Sequence, residues 1–186
     1  MSGPFRGGLA VLSGPSGSGK STICKALLAD PRCELSISGT TRAPRQGEQD
    51  GREYWFHSVE EFRRLESAGE FVESAQVYGN LYGTPRRPLE AASRRSDKLM
   101  LLDIDVQGAA QLRKLGIAAT YLFIAPPSLD ELRRRLIERQ SDSPAVVARR
   151  LDEAAHEMKQ KHLYDHVLIN HRLDQTIAAC RDLLGL

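Results

Sequence analysis

The residues best suited to chemistry lie near the start of the sequence, in a glycine-rich run that ends in a lysine and two hydroxyl residues. The run is Gly14-Pro15-Ser16-Gly17-Ser18-Gly19-Lys20-Ser21-Thr22, and it matches in full the phosphate-loop pattern Gly-x-x-x-x-Gly-Lys-Ser/Thr. Glycines allow the backbone to wrap round a polyphosphate and point its N–H groups inward. Lys20 can reach the β- and γ-phosphates, and the Ser21 hydroxyl can bind Mg²⁺. The run therefore predicts a nucleoside triphosphate site, without indicating what happens to the γ-phosphate.

A second group of phosphate-binding side chains follows in a loop rimmed by glycine and proline. Arg42 and Arg45 lie three residues apart, so both guanidinium groups can fork onto one phosphate. Tyr54 and Tyr82 occur beside later glycines, and their hydroxyls are further potential phosphate donors. The competing interpretation is a solvated surface loop, which is the usual environment of isolated arginines.

Two carboxylates, Asp103 and Asp105, come directly after the apolar run at residues 99–102. Ligands of open α/β sheets bind outside the carboxyl ends of the strands, where an Asp can hold Mg²⁺ through water. The alternative is an ordinary acidic N-cap for a helix starting at Val106. Position alone leaves the two interpretations about even, and the phosphate loop elsewhere in the chain favours a metal-binding role.

Further arginines lie on two predicted helices near the C-terminal third. Arg135 and Arg139 are four residues apart and share a helix face, while Arg149 and Arg150 follow on the next helix, across a short connection at residues 140–143. Such a pair of helices can form a hinged lid that presents guanidinium groups to a transferring phosphate. The pattern alone favours the simpler alternative of a solvated basic helix face.

The elements that must position these residues follow an α/β pattern. Apolar runs at residues 9–12, 99–102, 121–125 and 167–169 are each followed by a helical pattern, which predicts a parallel sheet covered on both faces. Residues 37–92 break this rhythm with a polar loop, a short aromatic strand at residues 54–56, a strand near residues 71–77, a turn at residues 79–83 and a helix started at Thr84-Pro85. We interpret this stretch as a β-rich substrate lobe inserted between two βα units.

Composition sets broad limits on function. The length of 186 residues predicts a single domain, and a hydrophobic content of 41% is enough for a buried core. The net charge is only +2, so we expect no nucleic-acid partner. No run approaches the roughly 20 apolar residues of a membrane span, and no signal peptide is evident, so we expect no membrane partner and a cytoplasmic location. Three cysteines without metal or redox spacing (Cys24, Cys33, Cys180) predict buried thiols in a reducing compartment.

Nearly the whole chain resembles the guanylate kinase family. Besides the phosphate loop, four stretches match its motifs in order: Thr40-Thr41-Arg42-Ala43-Pro44-Arg45, Gly79-Asn80-Leu81-Tyr82-Gly83-Thr84, Leu102-Asp103-Ile104-Asp105-Val106-Gln107-Gly108 and Phe123-Ile124-Ala125-Pro126-Pro127-Ser128. The resemblance implies a three-layer phosphate-loop α/β fold with a parallel core (residues 1–36, 93–127 and 159–186), a GMP-binding lobe (37–92) and a helical lid (128–158). It also implies phosphorylation of GMP or dGMP by ATP with Mg²⁺; the oligomeric state stays open.

The resemblance also implies roles for individual residues. Those that would face the guanine are Ser38, Glu73, Thr84 and Asp105. Those that would hold the GMP phosphate are Arg42, Arg45, Tyr54 and Tyr82. Asp103 would lie near the metal with Ser21, and Asn170 near the adenine. Those that would close over the ATP phosphates, beside Lys20, are Arg135, Arg139 and Arg150.

Elementary chemistry is consistent with these roles. Guanine presents N1–H and an exocyclic amine side by side, and the single carboxylate of Glu73 can accept both, whereas adenine would leave it unmatched. From strand alternation alone, Glu73 could equally be an exposed strand residue. No general base is needed, because the acceptor phosphate is mostly dianionic near neutral pH, with a second pKa of about 6; we interpret the five histidines as structural.

There are three departures from the family pattern: Gly39 stands where Ser is common, Gln140 where Gly is frequent, and the pair His171-Arg172 where acidic residues are frequent. None of these removes a charge that the mechanism needs. Two alternatives stay open: a non-catalytic interaction module of the same fold, in which the phosphate loop is typically damaged, and a related phosphate-loop kinase acting on another nucleotide or a sugar phosphate.

Overall fold

The computed structural model describes residues 8–138 and 144–186, which form nine strands and seven α-helices. The strands are β1 (Gly8–Ser13), β2 (Cys33–Leu35), β3 (Gly39–Thr40), β4 (Trp55–Phe56), β5 (Phe71–Val77), β6 (Asn80–Pro85), β7 (Leu99–Asp103), β8 (Thr120–Ala125) and β9 (His166–Ile169). The helices are α1 (Lys20–Leu27), α2 (Val59–Ser67), α3 (Arg86–Ser93), α4 (Val106–Lys114), α5 (Leu129–Glu138), α6 (Pro144–Lys159) and α7 (Leu173–Leu184), with a 3₁₀ turn at Gln160–Leu163.

A parallel five-stranded sheet in the order β2-β7-β1-β8-β9 forms the centre of the molecule. Alternate side chains of β1 enter different cores: Ala10 and Leu12 pack with α1 and α7, whereas Leu9 and Val11 pack with α3 and α4. Both faces are therefore covered, and the expected three-layer α/β class is confirmed. The sequence pattern did not indicate β2, since it has only three residues and carries Glu34 at its middle.

The second sheet, in the order β4-β3-β6-β5, belongs to the inserted lobe. The prediction of a turn over residues 79–83 is wrong: only Tyr78 and Gly79 turn, and β6 begins at Asn80, which pairs with Val77. Gly83 is there for close packing, because a Cβ at this position would lie 2.8 Å from the ring of Phe71. The next helix likewise begins at Arg86, since the two preceding residues still pair with β5.

Helices α5 and α6 pack against each other through Leu132, Leu136, Val147 and Ala154. The Ser128 hydroxyl accepts a hydrogen bond from the Glu131 N–H at 3.1 Å and so caps α5. No helix among those described is long and apolar enough to cross a membrane.

The three cysteines are buried free thiols, as predicted. Cys24, Cys33 and Cys180 all contribute to the core between the central sheet, α1 and α7. Burial raises the pKa of the Cys24 and Cys180 thiols to about 12, so neither is a nucleophile near neutral pH.

Candidate active site

A cavity of about 270 Å³ lies beyond the carboxyl ends of β1 and β7, between the phosphate loop, the lobe sheet and α6. In open α/β sheets this edge is where ligands bind. Predicted site residues make up most of its wall: Gly14, Ser16, Gly17, Gly19, Lys20, Ser21, Thr22, Ser38, Arg45, Tyr54, Glu73, Tyr82, Asp103, Asp105 and Arg150. The fold thus brings the predicted donor-side and acceptor-side residues to one cavity.

The phosphate loop connects β1 to α1 and depends on glycine where the backbone is left-handed. Gly14 has a φ of 134°, and a Cβ there would collide with the Ile124 carbonyl oxygen. Gly19 caps α1 without a side-chain hydrogen bond, which leaves the first N–H groups of the helix available to an anion. Lys20 Nζ donates to the Gly14 carbonyl at 2.5 Å and the Pro15 carbonyl at 3.2 Å, so its charge lies within the loop.

Asn170 holds the phosphate loop from behind. Its Nδ2 donates to the Ser18 carbonyl at 2.8 Å, and its Oδ1 accepts from the Thr176 hydroxyl at 3.1 Å. Both polar ends of the amide are therefore engaged within the protein. Asn170 also lines an adjoining hollow with Arg135 and His171, and Arg135 donates to the Asn170 carbonyl at 3.1 Å. Arg135 accordingly lies beside this hollow and not on the wall of the main cavity.

The residues predicted to hold the metal are in contact. Asp103 ends β7 opposite Leu12 of β1, and its Oδ2 accepts a hydrogen bond from the Ser21 hydroxyl at 3.2 Å. Burial raises the pKa of Asp103, while the Lys20 charge opposes that rise. This pair of hard oxygen donors fits Mg²⁺, which takes few protein ligands and keeps waters and phosphate oxygens in its shell.

Glu73 lines the cavity from β5. The residue is only 6% exposed, so the alternative of an exposed strand residue is wrong. The Thr84 hydroxyl donates to Glu73 Oε1 at 2.6 Å, and Thr84, itself fully buried, lies behind the carboxylate and not on the cavity wall. Burial raises the pKa of Glu73 to about 7, and the nearby negative charge of Asp105 contributes to that rise.

Asp105 is the N-cap of α4, one of the two interpretations that the sequence left open, and its functional role stays a prediction. Its Oδ1 caps α4 by accepting from the Gly108 N–H at 2.9 Å, and it also lines the cavity. The close approach of Glu73 requires glycine at position 108, because a Cβ there would lie 2.7 Å from Glu73 Oε2. Helix α4 is thus capped by the Asp105 carboxylate and packed against the Glu73 carboxylate.

The predicted acceptor-phosphate group is a cluster of rings and guanidinium groups. Tyr54 and Tyr82 pack edge to face with their centroids 5.8 Å apart, and Arg42 lies 5.4 Å from the Tyr54 centroid. Arg42 is held by Glu48, whose two carboxylate oxygens each accept from it at 2.9 Å. Glu48 also accepts from the Arg45 N–H at 2.7 Å.

Sequence reasoning missed three residues of this site. Glu48 was missed because an acidic residue is unexpected beside a phosphate site. Its position three residues after Arg45 is the sequence signal that could have indicated its contact with this loop. Glu157, on the cavity wall, lies four residues after Glu153 on α6, and burial raises its pKa to about 7. Tyr78 also lines the cavity from the turn of the lobe hairpin. Arg139, one of the predicted lid arginines, lies outside the described residues.

Comparison with known proteins decides the family. The sequence model for guanylate kinase matches residues 6–185. This chain belongs to the guanylate kinase family. It is 43% identical over 179 residues to the guanylate kinase of Geobacter sulfurreducens, covering 96% of this chain and 88% of that protein. The guanylate kinase of Symbiobacterium thermophilum is 46% identical over 180 residues, covering 96% and 85%.

A solved guanylate kinase has the same fold. The crystal structure of guanylate kinase from Anaplasma phagocytophilum superposes with a TM-score of 0.80 at 38% identity, covering 97% of this chain and 85% of that one. The resemblance noted in the sequence is therefore confirmed over nearly the full length of the chain.

The structure accounts for one departure from the guanylate kinase pattern, Gly39. A Cβ at Gly39 would lie 3.0 Å from the Phe71 ring and 3.2 Å from His57, so close packing favours glycine there. Arg172 forms an ion pair with Asp174 at 2.8 Å. Gln140 lies outside the described residues.

Proposed function

We propose that this chain transfers the γ-phosphoryl group of ATP to GMP or dGMP, giving ADP and GDP or dGDP, with Mg²⁺. One observation carries the proposal: the buried Glu73 carboxylate and the phosphate-loop lysine, Lys20, face the same cavity. A carboxylate that can accept two adjacent donors suits guanine, and the loop suits a triphosphate. Membership of the guanylate kinase family supports the same reaction.

Glu73 would read the base. As a carboxylate it accepts both the N1–H and the exocyclic amine of guanine, while Thr84 keeps one of its oxygens oriented. An adenine would present no N1–H and would leave a buried acceptor unpaired, which is costly in a closed site. Ser38 and Asp105, also on the cavity wall, would meet the remaining edge of the base.

The acceptor phosphate would lie against Arg45, Tyr54 and Tyr82, with Arg42 beside them. A phosphate monoester is already mostly dianionic at neutral pH and attacks without a general base. The task of these side chains is then to neutralise and orient it. Glu48 supports that task by fixing the Arg42 guanidinium and the Arg45 backbone in one loop.

The donor triphosphate would lie in the phosphate loop, residues 14–22. Mg²⁺, held by Ser21 and Asp103, would supply positive charge to the phosphate oxygens when bound. Lys20 and Arg150 face the same space and would stabilise charge as the phosphoryl group moves. Arg135 and Arg139 would add to this from the lid, and Asn170 would hold the loop in shape beside the adenine.

The same proposal includes the division of the chain and its location. The core would be residues 1–36, 93–127 and 159–186, the GMP-binding lobe 37–92 and the lid 128–158. An enzyme that consumes ATP and GMP is expected in the cytoplasm, where free nucleotides are made and used, with small-molecule nucleotides as its partners.

A coupled ADP-release assay with GMP, dGMP, AMP, CMP and UMP tests the proposal. We expect turnover with GMP and dGMP and little with the others. Lys20→Ala serves as the control and should nearly abolish turnover while thermal stability persists. GMP binding without turnover would favour a non-catalytic module, and equal turnover of another monophosphate would favour a related kinase.

A further inference from the structure

Tyr78 has an unusual backbone conformation. Its φ is 51°, and among residues 8–138 and 144–186 it alone has positive φ without being glycine. Gly79, the next residue of this two-residue hairpin turn, has a φ of 84°. Turns with two positive φ values favour Asn and Gly, because a Cβ lies close to the following carbonyl oxygen in this conformation; Gly has no Cβ, and the Asn side chain can hydrogen-bond locally. A tyrosine at this place therefore needs a compensating interaction.

Core packing does not supply that interaction. Tyr78 belongs to none of the apolar clusters formed by the described residues. Instead its ring lies beneath α6, with the Arg149 and Arg150 guanidinium carbons 5.3 and 5.4 Å from the ring centroid. Both distances fall within the range of favourable cation–π interactions, about 6 Å. Burial raises the pKa of the Tyr78 hydroxyl, and the nearby Glu153 of the same helix adds to that rise.

The Tyr78 ring joins two parts of the site that come from distant parts of the sequence. Tyr78 and Arg150 both line the cavity. Tyr78 directly follows β5, and the same strand carries Glu73. A single strand therefore runs from the candidate base-reading carboxylate to a ring that packs against the lid helix.

We propose that Tyr78 is a positioning residue, whose ring packs against both α6 arginines and holds the Arg150 guanidinium over the cavity, and so links the proposed GMP-binding lobe to a guanidinium group of the proposed donor side. This inference rests on the proposed function. A long arginine side chain loses rotamer freedom when it is fixed. A ring that fixes it beforehand lowers the cost of placing its charge where the phosphoryl group moves.

Substitutions at the turn separate this role from a structural one. Tyr78→Asn removes the ring but suits the turn, so the thermal midpoint should stay equal or rise. Because the ring no longer fixes the two guanidinium groups, kcat should fall about three- to ten-fold. KM for GMP should change by less than about two-fold, because the residues that would bind GMP are untouched. Tyr78→Phe keeps the ring face and should retain most of kcat.

Gly79→Asn is the matched control. It changes the neighbouring turn position, where the structure leaves open space around a Cβ, and it leaves the ring in place; kcat should be unchanged. In an Arg149→Met, Arg150→Met background, Tyr78→Asn should have little further effect on kcat, since that background already lacks the guanidinium groups that the ring holds.

The outcomes distinguish this inference from the proposed function. If wild type turns over GMP and Tyr78→Asn leaves kcat unchanged, the positioning role is wrong and the kinase assignment stands. A loss of kcat that Tyr78→Phe shares in full, or one that is additive with the arginine substitutions, would also overturn it. Absence of GMP turnover in wild type would count against the proposed function itself.

Discussion

At the scale of single residues, burial of the Glu73 carboxylate affects both the stability of the fold and the proposed recognition of guanine. Its pKa of about 7 lies above the usual value of an exposed Glu, about 4.3. Between these two values the folded chain holds a proton that the unfolded chain has released. The contribution of Glu73 to the free energy of unfolding is therefore greatest at low pH and falls as pH rises through this window.

Replacing Glu73 should consequently stabilise the protein at higher pH. Glu73→Gln keeps an acceptor for the Thr84 hydroxyl and removes the buried charge. We expect the variant to gain about 1–3 kcal/mol over wild type at pH 8, and much less at pH 5. Thermal or denaturant unfolding at the two pH values measures the gain. A gain independent of pH, or a loss at pH 8, would contradict the buried, charge-destabilised state of this carboxylate.

Gly108 offers a test of the same carboxylate from the opposite side. In a helix interior Gly→Ala normally stabilises by about 0.5–1 kcal/mol. Here the new Cβ would lie 2.7 Å from Glu73 Oε2 and must displace the carboxylate. We expect Gly108→Ala to raise KM for GMP at least about ten-fold, with a smaller effect on KM for ATP.

Ala110→Gly is the control for this substitution, because it changes the same helix without approaching the site. That control should leave KM for GMP unchanged. If Gly108→Ala also leaves KM for GMP unchanged, the packing of α4 against Glu73 does not position the base.

At the scale of elements, α5 and α6, which we propose form a lid, should act mainly on the chemical step. Arg135 is held by Glu131 at 2.9 Å and by the Asn170 carbonyl at 3.1 Å. Its charge would meet the triphosphate fully only in the closed state, so its energy should be realised in the transition state. We expect Arg135→Ala to lower kcat about ten-fold or more and to weaken ATP binding less.

Steady-state kinetics with varied ATP, together with direct measurement of ATP binding, separates these effects. Arg134→Ala is the matched control, because Arg134 lies on the same helix and pairs with Glu131 and Glu138 at its surface. Equal losses in ATP affinity and kcat/KM, with kcat unchanged, would contradict a role in the closed state.

The elements also show why sequence reasoning succeeded in part. Strands β1, β7 and β8 are almost wholly buried, so they are continuous apolar runs that could be predicted. The edge strand β9 is largely exposed, and it could be predicted because its run at residues 167–169 is also apolar. The short strand β2 has too few residues to form a pattern. Gly83 of β6 was misassigned to a turn, because its role is close packing against Phe71, a residue distant in the sequence.

Among the residues of the candidate site, too, some could be predicted from the sequence and others could not. Residues in fixed local motifs, such as Lys20 and Asp103, could be predicted because spacing determines their geometry. Glu48, Tyr78 and Glu157 could not, because their roles arise from partners that no local motif specifies. The separation of Arg135 from Arg150 also depends on how α5 and α6 pack, which no local pattern encodes.

At the scale of the whole molecule, the residues proposed to bind the donor and the acceptor belong to different sheets. Lys20 follows β1 of the central sheet, whereas Arg42 and Arg45 follow β3 of the second sheet. Two polyanions repel each other, so water must leave and cations must surround both phosphates before transfer is fast. We predict that residues 37–92 close towards the core when GMP binds, with hinges near residues 36–38 and 91–96.

Small-angle scattering with and without GMP plus a non-hydrolysable ATP analogue measures this closure. We expect a smaller radius of gyration with both nucleotides bound, together with altered hydrogen exchange at both hinges. An unchanged radius and unchanged exchange would contradict closure but would leave the phosphoryl-transfer assignment intact.

The central claim is that one carboxylate in the phosphate-loop cavity selects guanine. Its most direct test is the ratio of kcat/KM for GMP to that for AMP, measured in wild type and in Glu73→Gln. An amide presents one acceptor oxygen and turns an NH₂ group towards a guanine donor, so we predict that the ratio falls at least about ten-fold, mainly through KM for GMP. An unchanged ratio, with GMP kinetics equal to wild type, would show that Glu73 does not read the base.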